Sequence, residues 1–253
     1  METKKQIERP IRLIAKIGSD ALVNLDYTLR EDILESLARD IAQFDKEDEI
    51  VIVTSGAIAC GKTVIKGDDN VRNKQARAAV GQPKLMHAYH KAFSKYGLEV
   101  AQLLLTREYL TNPDKLNTTI GAYSRLRGQA IPIVNENDIV DIEEIFGDND
   151  RLSLELLFRL NFKTLINYTQ RGALIRQGVP LKSSRYFDYH WYDILEKSGN
   201  GSGGLQSKLE CAQEAVEAGK EYYIAKAGDS IFDVLSGSTI STKFYTEKLK
   251  CQK

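Results

Sequence analysis

Short apolar runs that each end in small or polar residues, separated by segments of helical period, recur along this chain and leave it few folds to adopt. Ile11, Leu13, Ala15 and Ile17 alternate with Arg12, Ile14 and Lys16 and run into Gly18-Ser19-Asp20. Ile50 to Val53 meets Thr54-Ser55-Gly56-Ala57, and Ile131, Ile133 and Val134 end in Asn135, Glu136, Asn137 and Asp138. Further strands are expected at Val100 to Leu105, where the run reads as buried, at Thr164 to Tyr168, at Tyr222 to Ala225 and, last, at Thr239 to Tyr245. Between them Ile33, Leu34, Leu37, Ala38 and Ile41 keep helical spacing, Asn73 to Gly81 reads as a short helix, and Pro83 opens another to about Tyr96. Leu116 to Leu126 is helical despite Gly121, and a helix from Leu205 is stopped by Gly219. The region from Gln170 to Gly204 is irregular. Such alternation predicts an α/β fold with a mainly parallel sheet and helices on both faces.

Composition narrows the function. The 253 residues can bury a large core, 42% are hydrophobic and 28% charged, and Lys+Arg equal Asp+Glu at 35 each. A balanced charge gives the chain no overall attraction to nucleic acid or an anionic membrane, so any basic site must be local. The start, Met1 to Pro10, lacks the apolar stretch of a secretion signal, and no apolar run approaches a membrane span; the expectation is a cytoplasmic protein. Cys60, Cys211 and Cys251 suit reduced thiols, and His87 and His90 read as surface residues of a helix rather than a metal pair.

The polar bursts carry the chemistry. Gly147, Asp148, Asn149 and Asp150 form a turn before Ser153, Leu156, Leu157 and Leu160 at helical spacing, so carboxylates and an amide sit at a helix start. Favourable interaction with the helix dipole would account for Asp148 and Asp150 without any function. With Asn135 to Asp138 at a strand end a dozen or so residues earlier, the two clusters also suit a small polar substrate. Gly56-Ala57-Ile58-Ala59-Cys60-Gly61-Lys62-Thr63 matches the phosphate-loop pattern and follows a strand. Its context is poor. Gly67-Asp68-Asp69-Asn70 stops any helix after Thr63, and the interior is apolar enough to be helical itself, with Ile58 facing the core. The other reading makes Ser55-Gly56-Ala57 a small-residue turn offering a hydroxyl and backbone N–H groups, as Gly18-Ser19 would. Gly199-Asn200-Gly201-Ser202-Gly203-Gly204 precedes a helix carrying Lys208, which makes either a linker or an anion site.

Taken in order, Lys16-Ile17-Gly18-Ser19, Val53 to Ala59, Ala78-Ala79-Val80-Gly81-Gln82, Leu104-Leu105-Thr106-Arg107, Asn135 to Asp138, Phe146 to Asp150 and Gly201 to Leu209 resemble the glutamate 5-kinases of the amino acid kinase family over nearly the whole chain. The resemblance implies a three-layer αβα sandwich, a single kinase domain over 1–253 without a C-terminal RNA-modification-like domain, and transfer of the γ-phosphoryl of ATP to the side-chain carboxylate of L-glutamate in proline biosynthesis. It implies that Lys16, Lys208 and Asp150 are catalytic, the aspartate holding the two lysines. Ser55, Asp138 and Asn149 would hold the amino acid; Gly18, Ser19, Thr169, Gln170, Gly203 and Lys208 would hold the nucleotide. Mg2+ would ride on ATP without protein ligands of its own, and a homo-oligomer and feedback by proline are implied on the same ground.

Departures fall on the nucleotide half. Asn167-Tyr168-Thr169-Gln170 stands where relatives usually carry Leu-Leu-Thr-Asp, no Asp-Pro follows Gly172-Ala173-Leu174, and Asp20 replaces a small hydroxyl residue. These leave two alternatives open: the same fold acting on another carboxylate acceptor, or a non-catalytic relative that binds glutamate or proline.

Overall fold

The computed structural model describes residues 7–140, 149–176, 179–184 and 204–244. The first half runs β1 (Arg12–Ile17), α1 (Ser19–Leu22), α2 (Glu31–Ile41), β2 (Glu49–Thr54), α3 (Ala57–Gly61), α4 (Val71–Ser94), β3 (Val100–Leu105), α5 (Arg107–Thr111), α6 (Pro113–Leu126) and β4 (Ile131–Glu136). The second half runs α7 (Asn149–Arg159), β5 (Thr164–Thr169), β6 (Ile175–Arg176), β7 (Val179–Pro180), β8 (Ser183–Ser184), α8 (Leu205–Glu217), β9 (Glu221–Lys226), α9 (Ile231–Ser236) and β10 (Thr242–Phe244). Strand order in the main sheet is β3-β4-β2-β1-β5-β9-β10-β8. The first six are mutually parallel, and β10 runs against β9.

A parallel sheet covered on both sides needs strands that are apolar on both faces, and β1 shows it. Leu13, Ala15 and Ile17 enter one core with Leu34 and Leu37 of α2, Leu85 and Phe93 of α4 and Val234 of α9. Ile14 enters the other, with Tyr123 of α6, Leu154 and Leu157 of α7 and Leu209 and Ala212 of α8. The result is the three-layer sandwich expected from the sequence. Because the chain first builds β2, β4 and β3 on one side of β1 and then crosses to β5 and β9 on the other, the strand-end crevice falls beside β1, where open α/β sheets bind ligands.

Several sequence expectations need correction. Pro83 does not start a new helix: α4 continues through it for 24 residues. Loss of one N–H and a ring clash cost about 3 kcal/mol in an isolated helix. Here Ala78, Gly81 and Gln82 before it and Leu85, Ala88 and Tyr89 after it all bury on one continuous face, which outweighs that cost, while Pro83 itself is exposed. β3 is an edge strand with most of its residues half-exposed, not a buried one. Ile58 is half-buried; Ala57 and Cys60 take the core side of α3. The last strand begins at Thr242 rather than Thr239, with Tyr245 outside the described residues, and α1, α5 and α9 lie where no helix was anticipated. Cys60 and Cys211 are buried, and His87 and His90 are exposed on α4; Cys251 lies outside the described residues.

Candidate active site

Parallel register decides what meets at the strand ends. Lys16 is the partner of Asn167 across the β1–β5 pair, so both side chains rise on the α7 and α8 side of the sheet. There they meet Asp150, in the first turn of α7, which is 0% exposed. Lys16 Nζ is 2.5 Å from Asp150 Oδ1, and Lys208 Nζ, from the first turn of α8, is 2.9 Å from Oδ2. The two ammonium groups thus come from opposite halves of the chain onto the two oxygens of one carboxylate. Burial alone would push the Asp150 carboxyl up; the charges and hydrogen bonds of Lys16 and Lys208 outweigh it and hold it at about 2. Lys16 is itself only 4% exposed, so the cluster is largely withdrawn from water.

The turn after β2 supplies the next group. Gly56 has φ of 106°, a left-handed conformation that favours glycine, and it starts α3 immediately after Ser55. Ser55 Oγ accepts a 2.9 Å hydrogen bond from Asn149 Nδ2, which ties the β2 turn to the start of α7. Asn149 Oδ1 is buried without a partner among the described residues, as is Nδ2 of Asn135 at the end of β4. Buried amides left open at a strand edge are groups a polar ligand would satisfy. Beside Asp138, a cavity of about 330 Å³ opens between α4 and the β3–β4 edge, lined in part by Gln82, Gln102, Leu104 and Asn137. It lies on the α4 side of the sheet and the lysine cradle on the other, so the strand edge carries polar groups on both faces.

Gly18 follows Lys16 in tight quarters: a Cβ there would come 2.6 Å from Asp20 Oδ1 and 3.8 Å from Lys16 Nζ. The unexpected carboxylate of Asp20 therefore lies over Gly18 while the residue stays exposed. Ser19 opens α1 and is half-buried. At the end of β5, Thr169 Oγ1 accepts from Gly172 N at 2.9 Å and shapes a turn, and Gln170 is exposed. Gly203 and Asp148 lie outside the described residues, and Gly204 stands at the start of α8.

The phosphate-loop match resolves into helix packing. A Cβ on Gly61 would lie 2.1 Å from the Arg77 carbonyl oxygen, and one on Gly81 would lie 1.8 Å from that of Ala57, so these glycines let α3 and α4 touch backbone to backbone. Lys62 Nζ pairs with Asp69 at 3.1 Å and Thr63 Oγ1 bonds to the Cys60 carbonyl. Arg77, 1% exposed, binds the carbonyls of Ile65 and Gly67 and the carboxylate of Asp69, holding the intervening loop.

The sequence reading missed two members of the cluster, Asn167 and Tyr222. Asn167 Nδ2 donates to Asp150 Oδ1 at 2.5 Å and to Tyr222 Oη at 2.9 Å. The available signal was an amide in the middle of an otherwise apolar strand.

A doubly covered parallel sheet with two lysines and an aspartate joined at its C-terminal edge defines a class, and the chain belongs to the amino acid kinase family, whose model matches residues 12–226. Within that family it is similar to glutamate 5-kinases. It is 33% identical over 268 residues to the glutamate 5-kinase of Clostridium perfringens, covering 97% of this chain and 99% of that protein. Identity to the glutamate 5-kinase of Azoarcus sp. is 35% over 266 residues, 98% of this chain and 72% of that one. The fold is also that of solved structures at 14% identity. One is an isopentenyl phosphate kinase substrate complex, TM-score 0.64 over 92% of this chain and 99% of that one. Another is UMP kinase from Ureaplasma parvum, TM-score 0.59 over 94% and 100%. Among the described residues no helix is long and apolar enough to cross a membrane.

Proposed function

We propose that the chain transfers the γ-phosphoryl group of ATP to the side-chain carboxylate of L-glutamate, giving L-glutamyl 5-phosphate for proline biosynthesis. The observation that carries this is the convergence of Lys16 and Lys208 on Asp150 in a chain one-third identical, end to end, to a glutamate 5-kinase. Phosphoryl transfer asks a protein for in-line positioning and for positive charge where the transferring oxygens become more negative, with no covalent intermediate on the enzyme. A carboxylate oxygen of glutamate attacks the γ-phosphorus while the bond to the bridging oxygen of ADP breaks. Lys16 and Lys208 would stabilise the charge that moves, and Asp150 would hold both lysines in place.

The acceptor is assigned to the adjoining polar edge. Asp138 would bind the substrate ammonium, and Ser55 and Asn149, already joined to each other, would bind its remaining polar groups. Gly18, Ser19, Thr169, Gln170 and Gly203 are assigned to the nucleotide. Asp150 is committed to the lysines, so magnesium would enter on the phosphate oxygens of ATP. It would neutralise phosphate charge. The same reading carries a cytoplasmic homo-oligomer and inhibition by proline, which keeps the amine and α-carboxylate of glutamate and would compete at the Asp138 end.

A hydroxamate assay for activated glutamate with ATP and magnesium tests this. Lys16→Ala and Lys208→Ala should each lower the rate about 100-fold or more, while Lys62→Ala stays near the wild-type rate. An essential Lys62 with a dispensable Lys208 would reinstate the phosphate loop, and no product from the wild-type protein would remove glutamate as the acceptor.

A further inference from the structure

Asn167 is a costly residue to keep in the middle of an otherwise apolar strand. It is 0% exposed, in a strand flanked by Ile166 and Tyr168, and its Oδ1 has no hydrogen-bond partner among the described residues. A leucine at that position would bring no polar atom of its own into the core, so the amide is expected to do something that an apolar side chain cannot. Its Nδ2 shows what. One hydrogen goes to Asp150 Oδ1 at 2.5 Å, the oxygen that also receives Lys16, and the other to Tyr222 Oη at 2.9 Å. The orientation of the amide follows from chemistry: turning Oδ1 toward Asp150 would set two acceptors against each other.

We propose that Asn167 is a positioning residue for phosphoryl transfer, fixing the Asp150 carboxylate so that each of its oxygens faces a different lysine. A carboxylate set between two flexible ammonium groups can rotate and draw both onto one oxygen. Asn167 removes that freedom, because its backbone is locked beside Lys16 by the β1–β5 register and its side chain is braced from β9 by Tyr222. By taking part of the hydrogen-bonding capacity of Oδ1, the neutral amide also weakens the hold of Asp150 on Lys16, leaving more of that ammonium charge for the transferring oxygens. The chain thus carries in β5 a support for its lysine cradle.

This inference rests on the kinase reading above, and the experiment separates the two. Wild-type turnover of ATP and glutamate tests the kinase reading; the ratio of variant to wild type tests Asn167. Asn167→Leu is expected to lower kcat about tenfold, with KM for glutamate and for ATP little changed and the melting temperature close to that of the wild type, because losing the unsatisfied oxygen offsets the two lost hydrogen bonds. Tyr222→Phe, a near-isosteric change, should lower kcat less and in the same direction. An Asn167→Leu protein that melts like wild type and keeps its kcat would overturn the proposal, as would a loss that appears wholly in KM. A second readout needs no turnover. In the wild-type NMR spectrum one side-chain amide proton of Asn167 should lie far downfield, and it should return to the ordinary position in Asp150→Asn. An ordinary position in the wild-type protein would remove the bond and the proposal together.

Discussion

Asp150 gains and loses stability with pH in a direction its surroundings dictate. Its carboxyl ordinarily titrates near 3.8, and in the folded chain Lys16 and Lys208 overcome its burial and hold it at about 2. A depressed carboxylate stabilises the fold above its unfolded pKa, and that contribution disappears as pH falls through the folded value. Urea unfolding of the wild type should therefore lose about 2 kcal/mol between pH 4 and pH 2 in excess of whatever Asp150→Asn loses over the same window. Equal slopes for the two proteins would mean that the charges do not sense each other. At this scale the motifs already pointed to Lys16, Asp150 and Lys208, because each sits in a short pattern with its own spacing. Asn167 and Tyr222 could not be read as members of the cluster. They are single polar groups in apolar strands, and only the β1–β5–β9 register brings them to the carboxylate.

Two helical glycines of similar appearance in the sequence have opposite meanings in the elements that contain them. Gly81 of α4 is pressed against the Ala57 carbonyl, where an added Cβ would sit at 1.8 Å, whereas nothing lies within 4 Å of a Cβ on Gly121 of α6, which is exposed. Gly81→Ala should cost about 3 kcal/mol or more, since backbone cannot yield as a side chain can. Gly121→Ala should add about 1 kcal/mol by raising helix propensity. Thermal melts of the two variants, moving in opposite directions, check this. The contact of α3 with α4 also decides where the Ser55–Gly56 turn stands. Gly56 and Gly61, two members of a phosphate-loop pattern, serve a left-handed turn and a helix contact. A pattern of letters cannot separate these uses, because both ask for a residue without a Cβ.

The two cores lie on opposite faces of one sheet, and the strands between them are shared. Leu85, 0% exposed in the first core, and Leu157, 0% exposed in the second, are equivalent in size and far apart in the sandwich. Each, cut to alanine, should cost about 2–5 kcal/mol. Each should move the whole urea transition, with far-UV dichroism and the near-UV tyrosine signal coincident, since neither face can lose its packing without exposing strands of the other. A transition that splits in either variant would show that the layers fold separately. At this scale most of the architecture was legible: strand and helix periods alternate, and that alternation allows little besides a covered parallel sheet. The continuous α4 was not, because local rules set Pro83 against the helix and the long buried face on both sides of it overrules them. The edge position of β3 was hidden too, since an apolar run reads alike in the middle of a sheet and at its rim.

Periodicity and the order of the short motifs were enough to specify the sandwich, its family and three members of the lysine–aspartate cluster, because each of those signals is local along the chain. Strand register, the packing of α3 on α4 and the joining of Asn167 to Asp150 are relations between residues far apart in the chain. They exist only once the sheet has aligned those residues, so they were settled by the folded arrangement.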